Sequence, residues 1–246
     1  MDIKNNYKDL LFLVFPLLRF WPIWLVQVKS PEFLSIAITF IFLSIIAKSG
    51  ITIGYEQSLL NYVLLIHGSP SIDIFMVTLT TIADVIHLVF VSLIFTIFRR
   101  TRKMGLILLI CIVVISISLM YFKPLVGRLN PSFDFVPNFN MPEGFTLEND
   151  SLSPRSRDYS FPSNHISQIT AFTYIIGFFL YRRSTLLGAI IWILPVIISF
   201  TKLYVFQHYL LDIIGGFYFG LIISIVFSKL LRIEEPFILS RFKGKD

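Results

Sequence analysis

The sequence predicts an all-α, polytopic membrane protein, built as a six-transmembrane-helix bundle with an N-terminal interfacial or broken helix. Of its 246 residues, 55% are hydrophobic and only 15% are charged, whereas soluble domains average about 25% charged residues. Six apolar segments also approach the roughly 20 residues that a helix needs to cross a bilayer. These observations exclude an ordinary cytosolic fold. The segments cover residues 33–51, 72–98, 104–122, 165–181, 186–204 and 209–227.

The apolar N-terminal segment 10–28 does not have the pattern of a simple span. Pro16 and Pro22 interrupt it, and Arg19 suits the headgroup level of a membrane. We therefore expect an interfacial or broken helix, and whether it crosses the bilayer stays open. Residues 56–67 are too few to span and carry apolar residues at helical spacing, which predicts an amphipathic helix lying in the interface.

The positive charge indicates which side faces the cytoplasm. The net charge is +6, and short basic stretches follow the second, fourth and sixth apolar segments, all on one side of the membrane. This side is expected to be cytoplasmic, with both termini. Charge placed beside apolar segments predicts a lipid bilayer as partner and no nucleic acid; the oligomeric state stays open. We divide the chain into an interfacial segment (1–32), a six-helix membrane domain (33–230) and a basic cytoplasmic tail (231–246).

Polar side chains gather at the extracytoplasmic ends of the spans, in three short clusters. One follows the third span, one begins the fourth span, and one extends across the end of the fifth span and the start of the sixth. In a compact bundle these clusters become neighbours. They comprise Lys123, Arg128 and Asn130; Ser163, Asn164 and His165; and Lys202, His208 and Asp212.

These residue types suit phosphoryl transfer. His208 and Asp212 share a helix face at a spacing of four, so the carboxylate can orient an imidazole nucleophile. Cations and a helix N-terminus bind phosphate oxygens, and His165 supplies a second titratable group that can protonate a leaving oxygen. Taken singly, each residue also fits an ordinary interfacial position. Metal ligation is disfavoured, because no carboxylate lies at a close ligand spacing from His165.

The combined pattern resembles the type 2 phosphatidic acid phosphatase superfamily. That family has a lysine followed seven residues later by Arg-Pro, then Pro-Ser-Gly-His, then Ser-Arg with a histidine six residues after the arginine and an aspartate four further on. The chain has corresponding residues from about residue 33 onwards. They are Lys123 with Asn130-Pro131, then Pro162-Ser163-Asn164-His165, then Thr201-Lys202 with His208 and Asp212.

The resemblance implies a mechanism and assigns each residue a role. His208 would attack phosphorus, Asp212 would orient it, and His165 would protonate the departing oxygen, giving a phosphohistidine that water hydrolyses. Lys123, Ser163 and Lys202 would hold the phosphate, with no cofactor and no metal.

Three departures from the family pattern matter for binding phosphate. Asn130 and Lys202 stand where the family has arginine, and Asn164 stands where it has glycine. Lysine keeps the charge but lacks the bidentate fork, and asparagine removes the charge. We expect Arg128 to take over for Asn130 in binding phosphate, and Arg155 or Arg157 are the alternatives.

The predicted function is that of a membrane lipid phosphatase acting on a phosphomonoester or pyrophosphate at the outer face of a bacterial inner membrane. The family implies lipid A, undecaprenyl pyrophosphate, phosphatidylglycerophosphate or phosphatidic acid as substrates. The aromatic, acidic loop 132–159 slightly favours lipid A. A lipid phosphotransferase of the same fold and a non-catalytic lipid-binding protein are the alternatives. Within the second span, Asp84 and His87 are expected to pair with each other, and a role beneath the site is the alternative.

Overall fold

The chain folds as a helical bundle in the computed structural model, which describes residues 23–67, 69–131, 150–151 and 153–235. Within these ranges the regular structure is helical, apart from one isolated bridge between Leu129 and Tyr159. The α-helices are α1 (Pro31–Ser49), α2 (Ile53–Leu64), α3 (Pro70–Ile82), α4 (Val85–Ile97), α5 (Arg102–Val126), α6 (Asn164–Tyr181), α7 (Thr185–Ile190), α8 (Ile193–Tyr204) and α9 (Leu210–Leu230).

Local sequence signals set the ends of the first span. Ser30 caps α1 by accepting a hydrogen bond from the Phe33 amide at 3.3 Å, and Pro31 occupies the first turn. The helix ends at Gly50, whose φ of 69° lies in the left-handed region that glycine tolerates. Along α1, large apolar side chains are exposed in the isolated chain, as expected for a helix that faces lipid: Leu34, Ile38, Ile41, Phe42 and Ile45.

The second predicted span is broken, which corrects the expectation of one helix over 72–98. Helices α3 and α4 meet at an angle of 50°. Asp84 lies at the break with extended dihedrals (φ −65°, ψ 148°). Its carboxylate is buried against His165, so the break turns this acidic group into the bundle instead of leaving it on a lipid-facing helix.

The described residues contain four helical segments long and apolar enough to cross a membrane, or five when the bent pair counts as one span. The segment over 185–204 is α7 followed by α8, and it is one of the four. Helix α6 does not join this set, because its N-terminal half is polar and buried inside the bundle. The count of six spans therefore stays a prediction.

Helix α6 is the central helix of the fold, and α9 packs closely against it. Glycines of α9 permit this approach: a Cβ on Gly216 would lie 2.7 Å from the Ser163 carbonyl oxygen, and one on Gly220 only 2.4 Å from that of Ser167. Small residues spaced by four are a common means of bringing two membrane helices together. The packing fixes the start of α9 beside the start of α6.

The basic residues that follow α4 and α6 meet at the opposite end of the bundle. Arg99, Arg100, Lys103 and Arg182 line one cleft of about 510 Å³ together with Glu234 and Glu235. This convergence agrees with the prediction that the basic stretches share one side. Most of the N-terminal segment and of the tail lie outside the described residues, so the expected broken helix and the domain boundaries stay predictions.

The packing of α9 on α6 predicts that Gly220→Ala destabilises the bundle. The added Cβ would collide with backbone, and overpacking of this kind costs about 1–3 kcal/mol. Thermal unfolding of the detergent-solubilised protein measures the effect. Gly54→Ala is the matched control, because a Cβ there meets nothing within 4 Å; equal melting temperatures for the two variants would contradict the prediction.

Candidate active site

The three polar clusters of the sequence meet at one end of the bundle. Lys123 lies in the last turn of α5, Ser163 caps the start of α6, and His208 directly precedes α9. Each of these side chains is at most 1% exposed. The structure thus brings together groups that are as many as 85 residues apart along the chain, counting from position 123 to position 208.

The centre of this cluster is a carboxylate that the sequence reasoning did not single out, Asp150. Its Oδ2 lies 2.5 Å from Lys123 Nζ. Its Oδ1 lies 2.5 Å from His165 Nδ1 and 3.0 Å from His208 Nε2. Two imidazoles and an ammonium group therefore face one buried carboxylate.

Helix α6 directs its first backbone amides at the same carboxylate. The Asn164 N–H donates to Asp150 Oδ2 at 2.9 Å, and the His165 N–H donates to Oδ1 at 3.2 Å. The Ser163 hydroxyl lies 3.4 Å from Oδ1 and also caps the helix at the Ile166 amide. Free amides and the helix dipole make such an N-terminus an anion-binding site, so the donors around Asp150 form an anion cradle.

The charges in the cradle shift the titration of its members outside the spanning helices. Burial alone would raise the pKa of the Asp150 carboxyl, but His208 and Lys123 outweigh it and hold the pKa well below its ordinary value. Burial alone would lower the pKa of His208, but Asp150 and Asp212 outweigh it and raise the pKa. Both shifts favour an ion pair between the imidazolium and the carboxylate.

The structure places His208 beside Asp212, as their spacing predicts. The imidazole Nδ1 lies 3.7 Å from Asp212 Oδ2, which also accepts a hydrogen bond from the Tyr209 amide at 2.8 Å. Because Nδ1 faces Asp212, the other ring nitrogen, Nε2, points into the cradle toward Asp150.

Arg128 lies behind this pair rather than bonding to the carboxylate in the cradle. Its Nη1 donates to Asp212 Oδ1 at 3.0 Å, and its Nη2 donates to Glu56 of α2. Glu56 also accepts a hydrogen bond from the Leu211 amide at 2.6 Å, and the Tyr209 ring lies 4.7 Å from the guanidinium carbon. Arg128 therefore holds Asp212 in position, and its expected contact with phosphate stays a prediction.

His165 has a carboxylate on each side of its ring. Nε2 lies 2.8 Å from Asp84 Oδ1, opposite the Nδ1 that faces Asp150. This contact corrects the expected pairing of Asp84 with His87, whose side chain is exposed on α4. The bend before α4 gives Asp84 its partner on α6 instead. Lys202 Nζ lies 3.9 Å from the same Asp84 oxygen and donates to Gln207 at 2.9 Å.

The remaining predicted residues lie around the cradle. Asn130 donates its side-chain amide to the Arg157 carbonyl oxygen at 2.9 Å, and Asn164 accepts from Gln168 at 3.1 Å. Arg155 is exposed, with its guanidinium carbon 5.3 Å from the centre of the Tyr121 ring. Asn164 thus contacts the cradle through its backbone amide, whereas Asn130 bonds to the loop that precedes α6.

Comparison with known proteins identifies the family of this site. The model of the PAP2 superfamily matches residues 102–234, which include all three polar clusters. The chain belongs to the PAP2 superfamily.

Two PAP2 relatives extend this match. An undecaprenyl-diphosphatase from Sulfolobus acidocaldarius is 30% identical over 135 residues, which are 54% of this chain and 58% of that protein. The chain thus spans somewhat more than half the length of the curated relative that it matches. The crystal structure of a transmembrane PAP2-type phosphatidylglycerolphosphate phosphatase from Bacillus subtilis matches with a TM-score of 0.66 at 18% identity, covering 83% of this chain and 98% of that one. At this identity the second match supports the fold.

The PAP2 site also contains a group that could ligate a metal. One ligand atom each from Asp150, His165 and His208 lies within 4.8 Å of the others. However, the Asp150 carboxylate also lies 2.5 Å from the Lys123 ammonium and accepts from two backbone amides. A cation would have to compete with the ammonium and face amide hydrogens, so the donor set fits an anion better.

Three carboxylates of this PAP2 site were not among the predicted site residues: Asp150, Asp84 and Glu56. Two of them carried a usable signal. Asp84 is an acidic residue inside an apolar segment, and Glu56 is an acidic residue on an amphipathic helix; a charge in such a place needs a buried partner. Asp150 lies in an acidic loop where nothing in the sequence distinguishes it from its neighbours.

The position of Arg128 predicts that Arg128→Ala both destabilises the protein and lowers PAP2 hydrolytic turnover at least tenfold. The substitution leaves Glu56 and Asp212 buried without their cation, a loss that costs about 3–5 kcal/mol. Melting temperature and phosphate release measure the two effects. Arg99→Ala removes an exposed arginine at the opposite end and serves as the control; near-normal activity of Arg128→Ala would disprove the assigned role.

Proposed function

We propose that the protein is an integral membrane phosphatase that removes phosphate from a lipid headgroup through a phosphohistidine intermediate. The observation that carries this proposal is the anion cradle, in which two imidazoles from different elements face the same anionic group. A nucleophile and an acid placed on one phosphate are the minimum that such a reaction needs. Membership of the PAP2 superfamily supports the assignment.

In the proposed first step, His208 Nε2 attacks phosphorus and the bond from phosphorus to the leaving oxygen breaks. His165 Nδ1 gives its proton to that oxygen, while Asp84 holds the other ring nitrogen. Asp212 holds Nδ1 of His208 and stabilises the positive charge that develops on the ring. The products are the free alcohol, or the lipid monophosphate when the substrate is a diphosphate, and a phosphohistidine.

In the proposed second step, water attacks the phosphohistidine and the bond between phosphorus and nitrogen breaks. His165, now neutral, takes the proton of the attacking water, and orthophosphate leaves. Lys123, the Ser163 hydroxyl and the first amides of α6 hold the phosphate oxygens throughout. Removing one such donor typically costs on the order of 3 kcal/mol in the transition state.

For the substrate, we propose a polyprenyl diphosphate lipid as the first candidate. The support is the match to a relative named undecaprenyl-diphosphatase. The case for lipid A depends on the loop 132–159, and residues 132–149 of this loop lie outside the described residues. The case for lipid A therefore has less support. Phosphatidylglycerophosphate and phosphatidic acid complete the set. We further propose that the site faces the exterior or periplasm of a bacterial inner membrane, since the basic cleft lies at the opposite end of the bundle.

Purified protein in detergent, incubated with each of these four lipids, is expected to release orthophosphate from at least one. His208→Ala should abolish release, and a phosphohistidine should be trapped on the wild-type protein after acid-free quenching of a reaction with labelled substrate. His87→Ala is the matched control, because this histidine is exposed on α4.

The outcomes of this assay separate the alternatives. Release by His208→Ala at the wild-type rate would disprove the nucleophile. Transfer of phosphate to an added acceptor lipid, with no orthophosphate released in its absence, would indicate a phosphotransferase. Binding without any turnover would indicate a non-catalytic protein.

The raised pKa of His208 predicts the pH dependence of the reaction. The nucleophile must be neutral, so kcat/KM should rise with pH, with a midpoint above the ordinary value of 6.5. Asp150 of the loop and Asp212 of α9 face the ring, and Arg128 pairs with Asp212. Asp212→Asn should therefore lower the midpoint as well as the rate. A midpoint at or below 6.5 in the wild-type protein would contradict the prediction.

A further inference from the structure

The carboxylate of Asp150 has the contacts that a bound phosphate would need. Each of its two oxygens accepts a backbone hydrogen bond from α6, and each lies against a cationic or imidazole group. The residue is 7% exposed, so these contacts replace water rather than supplement it. Asp150 is attached to the loop that precedes α6, not to any of the helices that build the cradle.

The same donors cannot hold a phosphate and this carboxylate together. The nucleophilic nitrogen of His208 lies 3.0 Å from Asp150 Oδ1, which leaves no room for a phosphorus atom between them. Two anions sharing one buried site would also repel each other strongly. Substrate phosphate and Asp150 must therefore occupy the cradle in turn.

We propose that Asp150 is an internal competitor for the phosphate subsite, which substrate displaces on binding, so that Asp150 sets the affinity and the charge selectivity of the site. The proposal depends on the proposed function for its substrate, but its central claim concerns only which anion the cradle holds.

Because substrate phosphate must displace Asp150, the site should select among phosphate groups by their charge. A carboxylate carried by the chain itself competes at an effective concentration that is commonly millimolar. A phosphodiester brings one negative charge, the same as the carboxylate that it must displace. A phosphomonoester or a terminal diphosphate brings up to two charges and three free oxygens to the same donors. Asp150 thus disfavours diesters, which are the bulk of membrane phospholipids, relative to the substrate classes proposed above.

Removing the carboxylate leaves an ammonium group and two imidazoles without the anion that they face. Lys123 and the two imidazoles, which now share Asp150 as counter-ion, would lie together at a helix N-terminus without it. An external anion such as orthophosphate would then supply the counter-ion that an Asp150 variant lacks. This gives a readout that does not require turnover.

The first experiment measures thermal unfolding of the full-length protein in detergent during titration with orthophosphate. Asp150→Asn and Asp150→Ala should melt below the wild-type protein without phosphate. Added orthophosphate should raise their melting temperatures with a half-saturating concentration at least tenfold lower than for wild type. Asp158→Asn, which removes an exposed carboxylate from the same loop, should behave as wild type does. Equal half-saturating concentrations for wild type and both Asp150 variants would overturn the proposal.

The second experiment measures phosphate release and its inhibition by orthophosphate and by a phosphodiester lipid. In both Asp150 variants the KM for the substrate and the inhibition constants for both anions should fall, with the larger relative gain for the diester. A tenfold fall in kcat with KM unchanged would instead make Asp150 a positioning residue for the histidines and overturn the proposal.

The two experiments separate the inference from the function on which it rests. If wild-type protein releases no phosphate from any of the four lipids, the proposed function fails. The melting experiment then still decides whether orthophosphate and Asp150 compete for one site.

Discussion

Buried charge must be neutralised inside this bundle, and the site is organised by that constraint. Removing ionised side chains from water is expensive unless each finds a partner of opposite sign. At the end of the bundle that holds the site, two linked groups of charged side chains meet this requirement. In one, Arg128 joins Glu56 of α2 to Asp212 of α9. In the other, Asp150 joins Lys123 to both histidines. His208 touches both groups, because one ring nitrogen faces Asp212 and the other faces Asp150.

This organisation explains how the site accommodates its departures from the family pattern. The guanidinium of Arg128 forms ion pairs with Glu56 and Asp212 beside His208, contacts that an arginine at position 130 would not be needed to make. Lysine at position 202 lies close to Asp84 and donates to Gln207, within the set of groups around His165. The side chains that contact the Asp150 carboxylate directly are thus Lys123, His165 and His208. Backbone amides at the start of α6 add uncharged donors.

The sequence was sufficient to predict the helical membrane class, the nature of most apolar segments and the meeting of three distant polar clusters, because hydropathy and motif spacing are local properties. It was not sufficient to predict which charge pairs with which. Asp84 was expected to bond to His87 one turn away, but a 50° bend before α4 carries it to His165 on another helix. Asp150 belongs to an acidic loop in which other residues also carry carboxylates, so the sequence does not distinguish it from them. Partner choice depends on tertiary distances, and a single sequence does not contain them.

The glycines of α9 have a consequence for how the site can change shape. Gly216 and Gly220 hold α9 against the backbone of α6, and the Ser163 amide donates to the Asp212 carbonyl oxygen at 3.0 Å. These contacts tie the starts of the two helices together, and with them Ser163 and His165 of α6 and Asp212 of α9. If the proposed reaction holds, a change of shape that admits a lipid headgroup is expected in the segments outside this helix pair, so that the spacing between His165 and Asp212 is preserved.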